Sequence, residues 1–145
     1  MKNLILFTLF SGGMMLSATA WNVDDPHMET AIEFKKGSWE EILRAARDEN
    51  KVIFLDIYAT WCGPCKMLKK NTFTDREVGA YFNSHFINVT LDGEKGVGEL
   101  LAKTYGLHAY PTLLFIQPDG KVKAEAVGYH SPKKLLEFAR KVSAQ

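Results

Sequence analysis

Two thiols carry the reactive potential of this chain. In Trp61-Cys62-Gly63-Pro64-Cys65 the cysteines stand two residues apart, after an apolar run and before a stretch of helix formers. At a helix start, that spacing allows a disulfide to close across the first turn. A helix N-terminus carries roughly +0.5 charge, which favours thiolate over thiol at Cys62. Gly63 lets another backbone approach the sulfur, and Pro64 gives up an N–H that the first turn leaves unpaired anyway. One sulfur is placed to attack and the other, a turn away, to displace the product. The arrangement serves thiol–disulfide exchange. Three other uses compete. A structural staple closing so short a loop removes little entropy from the unfolded chain. A zinc site needs two further ligands, and His27, His85, His108 and His130 are isolated in sequence. An inert chance pair is the third.

The elements that must position the thiols can be read on either side of them. Val52 to Ala59 is nearly continuous apolar sequence, the pattern of a central strand buried on both faces. Asp56 interrupts it, where burying an ionised carboxylate is costly unless something needs it; the alternative is a solvent-facing acid on an edge strand. Upstream, Ala31 to Lys35 alternates weakly as a short edge strand, and Ser38 with Glu41 forms a capping box for a helix that stops at Asn50. Downstream, Thr74-Asp75-Arg76-Glu77 reads as a second capping box before a helix, and Phe86 to Asp92 as another strand. A loop over Gly93 to Gly98 and a helix to about Tyr105 follow. Thr112 to Gln117 and Lys121 to Val127 flank the turn Pro118-Asp119-Gly120. Ser131-Pro132 then opens a C-terminal helix. The pattern is one strand-rich α/β domain over residues 31–145, ending in a hairpin and a helix.

Composition narrows the class. The 145 residues carry 18 Lys+Arg against 17 Asp+Glu, and 46% are hydrophobic, which fits one packed domain. Without a clustered basic excess, the chain is not built to bind nucleic acid. Residues 1–20 read as a secretory signal: Lys2 is followed by an apolar stretch from Leu4 to Leu16, then by the small pair Ala18 and Ala20. Cleavage after Ala20 leaves residues 21–30 as a polar, irregular arm. The expected mature form is a soluble monomer, periplasmic or secreted, where disulfides persist.

The stretch from Asp56 to Lys66 (D-I-Y-A-T-W-C-G-P-C-K) closely resembles the active-site segment of the thioredoxin family, and the similarity continues through Tyr105 to Leu113. Residues 72–77 and the connection from Asp92 to Leu101 are more similar to exported members, including the C-terminal domain of membrane thiol–disulfide interchange reductases. The resemblance implies a thioredoxin fold: a central mixed sheet of four to five strands with helices on both faces. It implies Cys62 as nucleophile, Cys65 as resolving thiol, and Asp56 as the buried acid that takes and returns the proton of Cys65. Gly63 and Pro64 complete the motif. Pro111 matches a cis proline facing the cysteines, against the alternative of a trans proline at a strand start. Tyr110 before it would offer its backbone to an extended substrate segment. Trp61 would be an exposed platform rather than a core aromatic. The family places a lysine near the buried acid, and the matching position here reads as Asn88.

The resemblance further implies disulfide-bearing proteins as substrates and no cofactor beyond the Cys62–Cys65 couple. Oxidising relatives often carry a histidine between the cysteines, whereas Gly63-Pro64 supplies none, which favours a reductant. A reductase in an exported compartment then needs electrons from a membrane thiol–disulfide donor. The rival readings are a dithiol oxidase or isomerase, and a module that binds partners without turnover.

Overall fold

A computed structural model describes residues 31–144. The expected signal segment and all of the arm over 21–30 lie outside these residues. Ten elements follow one another: α1 (Trp39–Glu49), β1 (Val52–Tyr58), α2 (Gly63–Met67), a π-helical continuation (Leu68–Thr72), α3 (Arg76–His85), β2 (Phe86–Asp92), α4 (Gly96–Thr104), β3 (Thr112–Ile116), β4 (Val122–Val127) and α5 (Pro132–Ser143). Four strands form one sheet in the order β2-β1-β3-β4. The β1–β2 pair is parallel, and the other two pairs are antiparallel. The expected mixed sheet with helices on both faces is present.

Side-chain alternation along β1 builds two cores. Ile53, Leu55 and Ile57 pack with Ile42 and Ala46 of α1 and Leu101 of α4. On the opposite face, Phe54 packs with Phe82 of α3, Phe115 of β3 and Leu135 of α5. Phe54, Phe82 and Phe115 are wholly buried, each contributing about 1.5–3 kcal/mol of burial free energy. Asp56, two residues after Phe54, belongs to this second face. The strand therefore feeds its only acid into the layer between sheet and α3/α5, and its C-terminal end into the cysteine motif.

Two local expectations change. Ala31 to Lys35 is not a strand. Its backbone bonds diverge instead of forming a ladder: Ile32 N–H donates to Phe73 O, Glu33 N–H to Asn83 Oδ1 and Lys35 N–H to Asn88 O. The cap of α3 is Asp75 rather than Thr74. The Asp75 carboxylate accepts from the N–H groups of Glu77 and Val78, both at 3.0 Å, while Thr74 Oγ1 donates back to Lys70 O. A carboxylate also suits the positive end of the helix. The Ser38–Glu41 capping box forms as read, and Asn50 ends α1 in a left-handed conformation. Among the described residues, no helix is long and apolar enough to cross a membrane.

Candidate active site

The turn after β1 places Cys62 as the N-cap of α2 and Cys65 inside its first turn. The two are disulfide-bonded, with Cα atoms 5.3 Å apart. Cys62 Sγ accepts the backbone N–H of Cys65 at 3.2 Å. A thiol at Cys62 would therefore meet a donor already aimed at it, the local condition that stabilises a thiolate. Gly63 and Pro64 lie between the cysteines on the exposed rim. By exposure the two hardly differ: Cys62 is 2% exposed and Cys65 7%. In the oxidised protein both residues are buried, so exposure does not distinguish their roles. Hydrogen bonding does.

Behind the pair lies Asp56. It is 5% exposed, and it shares a cavity of about 520 Å³ with Cys65, Thr60, Lys66, Lys69 and Thr90. Its Oδ2 accepts the Thr90 hydroxyl at 2.8 Å, and its Oδ1 is buried without a hydrogen-bond partner among the described residues. Burial raises its carboxyl from 3.8 to about 7, and the Thr90 bond opposes that rise. A carboxyl titrating there can take or give a proton near neutral pH.

The residue beside Asp56 on β2 is Thr90, and this corrects the assignment of Asn88. The parallel register pairs Asp56 with Thr90 and Phe54 with Asn88. Asn88 is tied instead to Glu33 O and Asn83 Oδ1 through its amide. A neutral hydroxyl, rather than an ammonium or an amide, meets the buried acid from the sheet.

Across the front of the disulfide, Tyr110 and Tyr58 pack against the group of Ala59, Cys62 and Cys65. The Tyr110–Pro111 peptide bond is cis, and Pro111 is buried at the start of β3. Trp61 is 67% exposed, with its ring edge-on to Tyr110 at 6.2 Å. Its indole N–H donates to Glu94 Oε1 at 3.0 Å, and the Tyr110 hydroxyl donates to Gly93 O at 3.1 Å. Gly93 has no room for a side chain: a Cβ there would fall 2.5 Å from the Tyr110 ring and 2.7 Å from Ile57. The structure thus brings Cys62, Cys65, Asp56, Trp61, Tyr110 and Pro111 to one end of the sheet and adds Thr90, Gly93 and Glu94. Nothing local in the sequence marks the last three, because each joins the site through strand pairing or through the loop after β2. His108 is exposed, outside the helices and strands.

Comparison with known proteins gives the following. A family model described as thioredoxin-like matches residues 33–118. A thioredoxin H-type of Chlamydomonas reinhardtii is 33% identical over 111 residues, covering 75% of this chain and 90% of that protein. The thiol:disulfide interchange protein DsbD of Pseudoalteromonas atlantica is 27% identical over 106 residues; the match covers 72% of this chain and 18% of the DsbD length. Against the solution structure of a candidate disulphide-isomerase from Bacteroides thetaiotaomicron, the TM-score is 0.68 at 45% identity, with 80% of this chain and 95% of that one covered.

Proposed function

This chain belongs to the thioredoxin-like family, and on that premise we propose that it is a thiol–disulfide oxidoreductase working through the Cys62–Cys65 couple. The observation that carries the reading is the backbone N–H of Cys65 donated to Cys62 Sγ, with a buried acid in the same cavity as Cys65. In the reducing direction, the Cys62 thiolate attacks one sulfur of a substrate disulfide. The substrate S–S bond breaks, a mixed disulfide forms, and the first substrate thiolate leaves and is protonated by water. Cys65 then gives its proton to Asp56 and attacks Cys62 Sγ. The mixed disulfide breaks, the second substrate thiolate leaves, and the Cys62–Cys65 bond is restored. Two electrons pass to the substrate, and no other cofactor is invoked. Trp61 and Tyr110 flank the sulfurs on the side where an extended segment can run along the backbone before Pro111.

A reductant is the favoured direction, since Gly63 and Pro64 place no cation between the cysteines that would stabilise the dithiol form. Disulfides in exported proteins are then the substrates, with electrons supplied by a membrane thiol–disulfide partner, as the similarity to DsbD supports. Isomerase chemistry is the second reading, favoured by the likeness to the candidate disulphide-isomerase. Equilibration with glutathione separates them. A potential near that of thioredoxin, about −270 mV, is expected, whereas a value of about −180 mV or higher would assign the isomerase or oxidase role. Catalysed insulin reduction with dithiothreitol as donor is expected alongside; no turnover would leave a binding module.

Export is part of the proposal. Cleavage after Ala20 leaves Trp21 as the first residue, so intact mass of the protein recovered outside the cytoplasm should correspond to residues 21–145. Retention of Met1 or Lys2 would replace that reading with an anchor.

A further inference from the structure

The loop after β2 carries a charge that the exchange chemistry does not use. Glu94 is exposed and holds the Trp61 indole N–H on its Oε1. Its acidic neighbours have cations: Lys95 lies 3.5 Å from Asp92, and Lys103 lies 2.6 Å from Glu99. Among the described residues, no ion pair includes Glu94. An indole N–H is a neutral donor and cannot cancel a charge, so a full negative charge remains beside the platform that flanks the disulfide. Its field reaches the site. The Tyr110 hydroxyl is pushed above its ordinary range by burial first, and then by Glu94, Asp92 and Glu99.

Space accompanies the charge. Gly93, Glu94, Glu99, Lys103, His108 and Tyr110 border an open cavity of about 530 Å³, in which the Lys103 ammonium is taken up by Glu99 and Glu94 keeps its charge. The Tyr110 ring in the cavity wall, the exposed Trp61 ring edge-on to it and a carboxylate without a cation suit one kind of side chain. The methylene stem of Lys or Arg can lie along the Trp61 and Tyr110 rings while its cation meets Glu94. An acidic side chain in the same place would be repelled and left without a donor.

We propose that Glu94 is a specificity-determining residue, which makes this groove prefer disulfides whose cysteine is flanked by Lys or Arg over those flanked by Asp or Glu. The inference rests on the exchange function proposed above and adds the substrate class. Glu94 touches Trp61 and the incoming segment, and takes no part in the sulfur chemistry.

The test uses the reduced full-length protein and three peptide disulfides that differ only in Arg, Gln or Glu beside the cysteine. Each single-turnover rate is divided by the rate of the same peptide with dithiothreitol, which removes the peptide's own reactivity. The Arg peptide should react faster than the Glu peptide by about fivefold at low ionic strength, and the ratio should fall toward one near 0.5 M salt, where exposed charges are largely screened (about 3–10 Å Debye length). Glu94→Gln keeps an acceptor for the indole but loses the charge, so its ratio should approach one; Glu94→Lys should invert it. Because the readout is a ratio, a general loss of rate in a variant cancels. Equal wild-type rates for the Arg and Glu peptides, a ratio indifferent to salt, or one that survives in Glu94→Gln would overturn the inference while leaving the exchange function intact. No reaction with any of the three peptides would overturn the exchange function, and this inference with it.

Discussion

Cys65→Ser is expected to arrest the protein on its substrate, as a mixed disulfide through Cys62 that persists until an external thiol is added. The variant keeps the sulfur that receives the backbone N–H donor and loses the thiol that would displace the product. Cys62→Ser should accumulate no such adduct, and its exchange rate should fall on the order of a thousandfold or more, because a serine hydroxyl is not ionised near neutral pH. The asymmetry is informative because exposure does not predict it: both cysteines are buried, and Cys62 is slightly the more so. What separates them is the hydrogen bond from Cys65 N–H to Cys62 Sγ on one side and the Asp56 cavity around Cys65 on the other. Non-reducing electrophoresis with mass spectrometry, after incubation with a model disulfide protein, reads the result. Adducts on Cys62→Ser but not on Cys65→Ser would reverse the two roles.

For Asp56→Asn, activity and stability should move in opposite directions. Resolution of the mixed disulfide should slow by roughly a hundredfold, the loss typical of removing a positioned base, while formation of the adduct changes little. Stability follows from the sign of the pKa shift. Burial raises the Asp56 carboxyl to about 7 from an ordinary 3.8, so between those values the folded state holds a proton that the unfolded state has released. The wild-type protein is therefore expected to be most stable below about pH 4 as far as this group is concerned. It should lose on the order of 4 kcal/mol as pH rises toward 7 and stay at the lower level above that. The asparagine variant has no charge to bury and lacks this fall. It should be more stable than the parent at pH 8 by about 1–3 kcal/mol, after the cost of leaving an amide hydrogen without a partner beside the orphan oxygen site. At pH 4, where the parent carries no buried charge and only the amide cost remains, the order should reverse, with the parent the more stable by about 1–3 kcal/mol. Urea unfolding of the oxidised forms at both pH values measures one half, and stopped-flow decay of a preformed mixed disulfide measures the other. A variant with unchanged resolution kinetics would make Asp56 structural. A stability difference independent of pH would show that Asp56 is not the group that titrates.

Much of the site was legible because its signals are local. The spacing of Cys62 and Cys65, the helix start between them and the proline before the Thr112 strand each occupy a few adjacent residues. The apolar run around Asp56 announced burial for the same reason: alternation and hydrophobicity are properties of neighbours. The failures are also instructive. Thr74 and Asp75 are adjacent and both can cap; the choice went to the side chain whose backbone angles let it turn into the helix, leaving Thr74 to bond Lys70. Residues 31–35 have a strand's composition, but a strand exists only where a partner offers a continuous row of donors and acceptors. Here their bonds go to Phe73, Asn83 and Asn88.

The sequence by itself determined the reactive pair, the strand that delivers it, the helix that begins at it and the two-faced α/β architecture, because each follows from periodicity, capping and the chemistry of adjacent residues. Only the tertiary structure decided what faces the buried acid and what holds the exposed tryptophan. Asp56 and Thr90 are 34 residues apart and meet at 2.8 Å; Trp61 and Glu94 are 33 apart and meet at 3.0 Å. Both contacts depend on the register and exit of one parallel strand pair. A shift of two residues in that register would keep every side chain on its own face and put Asn88 beside Asp56. No local pattern separates those alternatives; the packing of both cores around β1 and β2 does.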